Sequence, residues 1–198
     1  MMGHGVNGGL KKIRRLLLAL MGMNNMPHFL NARVTHLEMY KRPTMTVPSP
    51  LNLQIAIMRA YHMPVHFYRY LYEQIGKAHH WNVRRKMTDA ALKDLIQSEN
   101  TVIHILYVDG CPAGFAEINL KELPKSAEIV YFGLVPDYQG KGLSYFFFNE
   151  ILHSVWESNP DKVIIQTNTL DSPRALQLYQ KCGFAPVSYN DVMIERWD

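Results

Sequence analysis

The sequence predicts an α/β chain of the α+β kind, with helices packed on a central mixed, mostly antiparallel sheet. Three observations carry that prediction. Residues 102–108 and 113–120 are apolar runs joined through Asp109-Gly110, a dipeptide that closes hairpins because both positions tolerate a positive φ. Residues 128–135 and 162–169 are apolar runs with a helical pattern between them, and a strand–helix–strand crossover makes its two strands parallel. Residues 65–76 and 143–156 repeat apolar side chains at helical spacing.

At 198 residues and 47% hydrophobic content, the chain can bury one core and carry an extension. The extension is expected at the N-terminus. Residues 1–59 hold eight Lys/Arg against the single acid Glu38, whereas residues 60–198 carry a net charge of −3. The overall charge of +4 therefore belongs to the arm, and the remainder offers no basic footprint for nucleic acid.

Within the arm, Lys11-Lys12-Ile13-Arg14-Arg15 precedes a short apolar run at 16–21. That run is far below the roughly 20 residues of a membrane span and lacks a small-x-small cleavage site. It reads as an unstructured leader, with translation starting at Met45 or Met58, or as a basic amphipathic helix touching a membrane surface. Three prolines within residues 42–50 mark a linker. The boundary is placed near residue 55, with an arm over 1–57 and the folded domain over 58–198.

Further elements follow in order. The helix at 65–76 stops on Gly76, and Thr88 caps a second helix whose Leu92, Leu95 and Ile96 share one side. His79-His80-Trp81 between them either lines a pocket or folds onto the core. Residues 102–135 make an antiparallel three-strand meander, and the helix after it, rich in Phe146, Phe147 and Phe148, ends at Asn159-Pro160. Ser172-Pro173 launches a short helix through Tyr179 to Gly183, and the tail adds one or two strands. Two cysteines, Cys111 and Cys182, make no disulfide framework, which suits a cytoplasmic protein.

The segment Gln139-Gly140-Lys141-Gly142-Leu143-Ser144 joins a strand to a helix. Such a turn gathers backbone N–H groups that have no partner inside the helix, and glycine lets an anion approach them. Lys141 adds positive charge. A nucleoside-triphosphate loop is excluded because Gly142 rather than a hydroxyl residue follows Lys141, and a dinucleotide fingerprint because Tyr145 stands where glycine is needed.

Preceded by Leu134-Val135-Pro136, this segment fits the short form of Gln/Arg-x-x-Gly-x-Gly/Ala. Ser172-Pro-Arg-Ala-Leu-Gln-Leu-Tyr179-Gln-Lys-Cys-Gly183-Phe184 fits Asn-x-x-Ala-x-x-Leu-Tyr-x-x-x-Gly-Phe. Over residues 60–190 the chain resembles the GNAT superfamily of acyl-coenzyme A-dependent N-acetyltransferases. It departs from the family pattern at Ser144, usually Gly or Ala, and at Ser172, usually Asn.

The resemblance implies a splayed parallel strand pair, with the pantetheine arm of acetyl-CoA lying in the splay. The pyrophosphate would rest on Gln139, Gly140, Lys141, Gly142, Leu143 and Ser144, Leu134 and Val135 would offer main-chain groups to the arm, and Ser172 would stand in for the motif's asparagine. It implies further that Tyr179 protonates the departing thiolate and that Glu128 is the base that deprotonates the amine, with Glu117 as the alternative. Cys182 is given no role, and the histidines show no metal spacing. The expected partner is a small-molecule or protein amine, taken by a monomer or homodimer. The competing reading is a GNAT-like domain that holds acyl-CoA as a sensor or interaction module without turnover.

Overall fold

The computed structural model describes residues 27–197. Among them, strands β1 (Phe29–Met39), β2 (Ile55–Arg59), β3 (Thr101–Val108), β4 (Cys111–Asn119), β5 (Ala127–Leu134), β6 (Val163–Asn168) and β7 (Ala185–Glu195) form one sheet. Their order across it is β2-β3-β4-β5-β6-β1-β7. Every neighbouring pair is antiparallel except β5 and β6, which run parallel. Helices α1 (Val65–Gly76) and α2 (Asp89–Ile96) cover one face, and α3 (Leu143–Trp156) and α4 (Ala175–Lys181) cover the other.

The expected meander and the crossover that sets β5 parallel to β6 are both present. Asp109 and Gly110 take φ of 50° and 80° at the hairpin tip. Thr88 caps α2, its side chain accepting the N–H of Ala91 at 3.3 Å. The tail forms a single strand, β7. Helix α4 begins only at Ala175, because Ser172 first closes a turn in which its hydroxyl accepts the N–H of Arg174 and its carbonyl that of Ala175.

The expected boundary at residues 55–58 is corrected: the sheet includes both β1 and β2. β1 lies between β6 and β7, with Val34 opposite Asn168 on one side and Phe29 opposite Glu195 on the other. The strand was hidden because its buried residues, Ala32, Leu37 and Met39, are separated by polar ones. Arg33, counted as part of a basic arm, pairs with Asp191 of β7 at 2.9 Å. The proline-rich stretch is irregular as expected, yet Asn149 of α3 holds it, accepting the N–H of Val47 at 3.2 Å and donating to the carbonyl of Met45 at 3.1 Å. The basic and apolar stretch at 11–21 lies outside the described residues.

The core has two halves. On one face Leu106, Ile118 and Ile129 of the sheet meet Phe147, Phe148 and Leu152 of α3; on the other Ile103, Ile105 and Phe115 meet Tyr68 and Leu71 of α1 and Leu92 of α2. Phe147 and Phe148 are fully buried, so that aromatic pair is packing, and each such side chain contributes on the order of 2–3 kcal/mol of burial.

One core position titrates. His104 is buried on β3, its Nε2 3.3 Å from the Ser154 hydroxyl and its Nδ1 without a partner. Burial pushes its pKa below the ordinary value, Arg59 adds to the shift and Glu157 opposes it. The unfolded chain thus takes up this proton at higher pH than the folded one. The stability contributed is full above the ordinary histidine value of about 6.5 and is lost as pH falls through the depressed folded value. Between pH 7.5 and 5.5 the urea midpoint of wild type is expected to fall further than that of His104→Leu, which has no proton to take up at this position.

Candidate active site

The cleft originates in one extra residue. Ile118 of β4 faces Ile129, but the next position, Glu117, faces Tyr131, so Val130 is unmatched and forms a bulge. A bulge bends its strand and increases the local twist. β5 stays paired with β6 only at Ala127, Glu128 and Ile129, and from Val130 onward the two strands part. A cavity of about 1290 Å³ opens in the gap, lined by both strands, by the turn after β5, by α4 and by the segment between α1 and α2.

At one end lies the glycine turn. Gly140 and Gly142 have φ of 75° and 77°, and a Cβ at either would meet nothing within 4 Å. The positive φ calls for glycine here, while the open space beside each leaves room for a ligand to approach. Gly142 stands at the N-cap of α3, where no side chain satisfies the helix's first amides. Gln139, Gly140, Gly142 and Ser144 line the cavity, as do Leu134, Ser172 and Tyr179.

Other expected contacts are placed differently. The side chain of Gln139 folds back to donate to the carbonyl of Leu134 at 3.2 Å, so it braces the turn. Val135 does not line the cavity: its N–H is taken by the carbonyl of Ala113 at 2.9 Å, and its carbonyl accepts the N–H of Tyr138 at 3.0 Å, which leaves that oxygen one lone pair. Leu143 is buried in the core and can contribute only its backbone. Lys141 does not line the cavity; its ammonium sits 5.2 Å from the centre of the Tyr138 ring.

The middle of the cavity holds Tyr179, packed against Phe148 and Phe184. Burial drives its phenol well above the usual tyrosine range, and the charge of Asp171 adds to this. Asp171 itself, passed over in the sequence, organises the turn between β6 and α4. One of its oxygens accepts from the Thr167 hydroxyl at 3.0 Å and the Asn168 N–H at 2.9 Å, and the other accepts from the Trp81 indole at 3.2 Å. Trp81 in turn packs at a tilt against Tyr131, with ring centres 4.8 Å apart. The position of Trp81 needs Gly76, where a Cβ would come within 2.7 Å of the Trp81 side chain.

The segment 79–86 roofs the far end. His79 bonds the carbonyl of Leu170, His80 accepts the N–H of Trp197, Asn82 bonds the carbonyl of Glu195, and Lys86 pairs with the Glu195 carboxylate. His79-His80-Trp81 thus lines the pocket, and Trp81 also rests on the core through Phe115.

Neither expected carboxylate lies on the cavity wall. Glu117 is buried, bound by Arg84 at 2.6 Å and by the Tyr68 hydroxyl. Burial works against the charge of Arg84, but the bond to Glu117 and the charge of that carboxylate, with smaller contributions from Tyr131 and Tyr68, together raise the Arg84 pKa. Glu128 lies two pairs further along the ladder, opposite Asn119; burial raises its pKa while Arg84 opposes the shift. Among the described residues no group of three or more His, Cys, Asp or Glu side chains is placed to hold a metal, and no helix is long and apolar enough to cross a membrane.

The family model of the acetyltransferase (GNAT) family matches residues 66–184. No curated protein matches the chain. Among solved structures, a functionally unknown conserved protein from Staphylococcus epidermidis superposes with a TM-score of 0.53 at 17% identity, covering 98% of this chain and 69% of its own. A putative acetyltransferase of the GNAT family from Novosphingobium aromaticivorans gives 0.56 at 14% identity, covering 84% and 65%. An aminoglycoside acetyltransferase from an uncultured soil metagenomic sample, solved in complex with sisomicin, gives 0.54 at 14%, covering 65% and 86%. At these identities the structures share the fold, while the family match spans more than half the chain. With its glycine turn, its parted parallel strands and this match, the chain belongs to the GNAT acetyltransferase family.

Proposed function

We propose that the protein is an N-acetyltransferase that moves an acetyl group from acetyl-CoA to a primary amine by direct attack. The observation that carries this reading is the continuous cavity running from the uncapped glycine turn, through the gap between β5 and β6, to Tyr179 and the Trp81 wall. The residues present fit the coenzyme. Open space at Gly140 and Gly142 and the unsatisfied first amides of α3 suit a pyrophosphate, and Gln139 holds that turn in shape. The parted strand edges below it suit an extended amide-bearing arm.

Acetyl-CoA brings an activated carbonyl, and this chain's residues orient it, exclude water and manage protons. The amine nitrogen forms a bond to the carbonyl carbon as the carbon–sulfur bond breaks, and charge accumulates on sulfur. Tyr179, kept neutral by burial, donates a hydrogen bond to that sulfur and passes on its proton as one from the amine replaces it.

Tyr179→Phe removes the donor and keeps the ring. Thiol release with a panel of primary amines is expected to slow about 10²-fold, while acetyl-CoA affinity by calorimetry stays near wild type. Equal turnover in the two proteins removes Tyr179 from the reaction. Tight acetyl-CoA binding with no thiol release for any amine supports the non-catalytic reading instead.

A further inference from the structure

Two histidines line the roofed end of the cavity, and their neighbours dictate which nitrogen carries hydrogen. His80 Nδ1 accepts the N–H of Trp197 at 3.1 Å, so in the neutral ring its lone pair is already spent. His79 Nδ1 lies 3.2 Å from the carbonyl oxygen of Leu170. A carbonyl has no hydrogen to give, so His79 Nδ1 must carry one and donate it. The neutral His79 ring therefore has its lone pair on Nε2. Among the described residues no protein group bonds that nitrogen.

Resting on the acetyltransferase reading above, we propose that His79 is a catalytic residue, the base that deprotonates the acceptor amine. An alkylammonium with a pKa near 10.4 is not a nucleophile at neutral pH, and imidazole is the side chain that exchanges protons there. His79 Nε2 takes one proton from the ammonium and the freed amine attacks the acetyl carbon. A second amine proton reaches the departing sulfur through Tyr179, and His79 returns its own to solvent. The products are the amide, the coenzyme thiol and one proton.

The charged or imidazole groups on the cavity wall besides His79 are His80 and Lys86 on its own segment, Asp171 beside the carbonyl it holds, Arg174 and Lys181 beyond that turn, and Glu195 on β7. Asp171 has its oxygens engaged by Trp81, Thr167 and Asn168, and Lys86 and Glu195 pair with each other. His79 is left as the wall's free proton acceptor within this group.

The bond to Leu170 would also hold the segment in place with no part in chemistry, and the test separates the two roles. His79→Gln keeps an N–H donor for the Leu170 carbonyl and lacks a basic nitrogen. Thiol release from acetyl-CoA is measured with propylamine, an ammonium at neutral pH, and with hydroxylamine, already a free base there. The variant is expected to lose about 10²-fold with propylamine and little with hydroxylamine, with its thermal midpoint and acetyl-CoA affinity unchanged. Equal losses with both amines, no loss with either, or a selective loss found in Glu128→Gln instead, overturns the proposal. Long-range nitrogen–proton correlation spectra give a readout independent of turnover: a hydrogen on Nε2 of neutral His79 overturns the assignment, and a bare Nε2 that shifts on adding propylamine to the coenzyme complex supports it. Failure of the wild type to bind acetyl-CoA overturns the functional reading on which it rests.

Discussion

A chain that starts at Met58 is expected not to fold. It lacks β1, which fills the sheet between β6 and β7, and the first three residues of β2. Leu37 and Met39 are buried in the main core, and removing one such side chain typically costs about 2–5 kcal/mol. Their joint loss approaches the whole stability of an ordinary domain, about 5–15 kcal/mol. The truncation also exposes a long edge of β6 and detaches β7, whose sheet pairing among the described residues is with β1 alone. Expression from Met58 should give aggregated protein, whereas expression from residue 27 should give a cooperative thermal transition. A soluble Met58 product with a normal transition would mean that β1 is dispensable.

Gly142→Asp is expected to abolish acetyl-CoA binding, weakening it at least about 100-fold, or roughly 2.7 kcal/mol. Two effects combine. Any side chain at a φ of 77° is strained by on the order of 1–2 kcal/mol, and a carboxylate here stands where the anion would rest. Gly142→Ala separates them, since its Cβ meets nothing within 4 Å and carries no charge. Calorimetry should show the alanine variant binding measurably and the aspartate variant not at all. Equal affinity in wild type and Gly142→Asp would move the anion site away from the turn.

The sequence was legible where local chemistry dictates structure. The Asp109-Gly110 hairpin, the Thr88 cap and the glycine turn are each set by a few adjacent residues whose dihedrals or hydrogen bonds leave little choice. Tyr179 and Ser172 were found because their motif has fixed spacing, and both line the cavity. β1 escaped because its partners are more than a hundred residues away and its buried side chains are sparse. Asp171 escaped, and His79-His80-Trp81 stayed undecided between pocket and core, for the same reason: Trp81 and Asp171 meet across 90 residues, and nothing local in either announces the bond. The two carboxylates could be placed on strands but not on a side of the cleft, because the bulge at Val130 resets which residues face which way.

That bulge gives the sheet inner edges as well as outer ones. Beyond Ile129 on β5 and Ile165 on β6, two rows of strand backbone face each other across the gap. An open row of this kind is usually a hazard, since it can recruit a strand from another protein. Here the rows are recessed between Tyr179 and the Trp81 roof, so the opening selects by width. A slender chain with spaced amide groups can reach both rows, while a folded neighbour's strand, with side chains on both faces, is kept out.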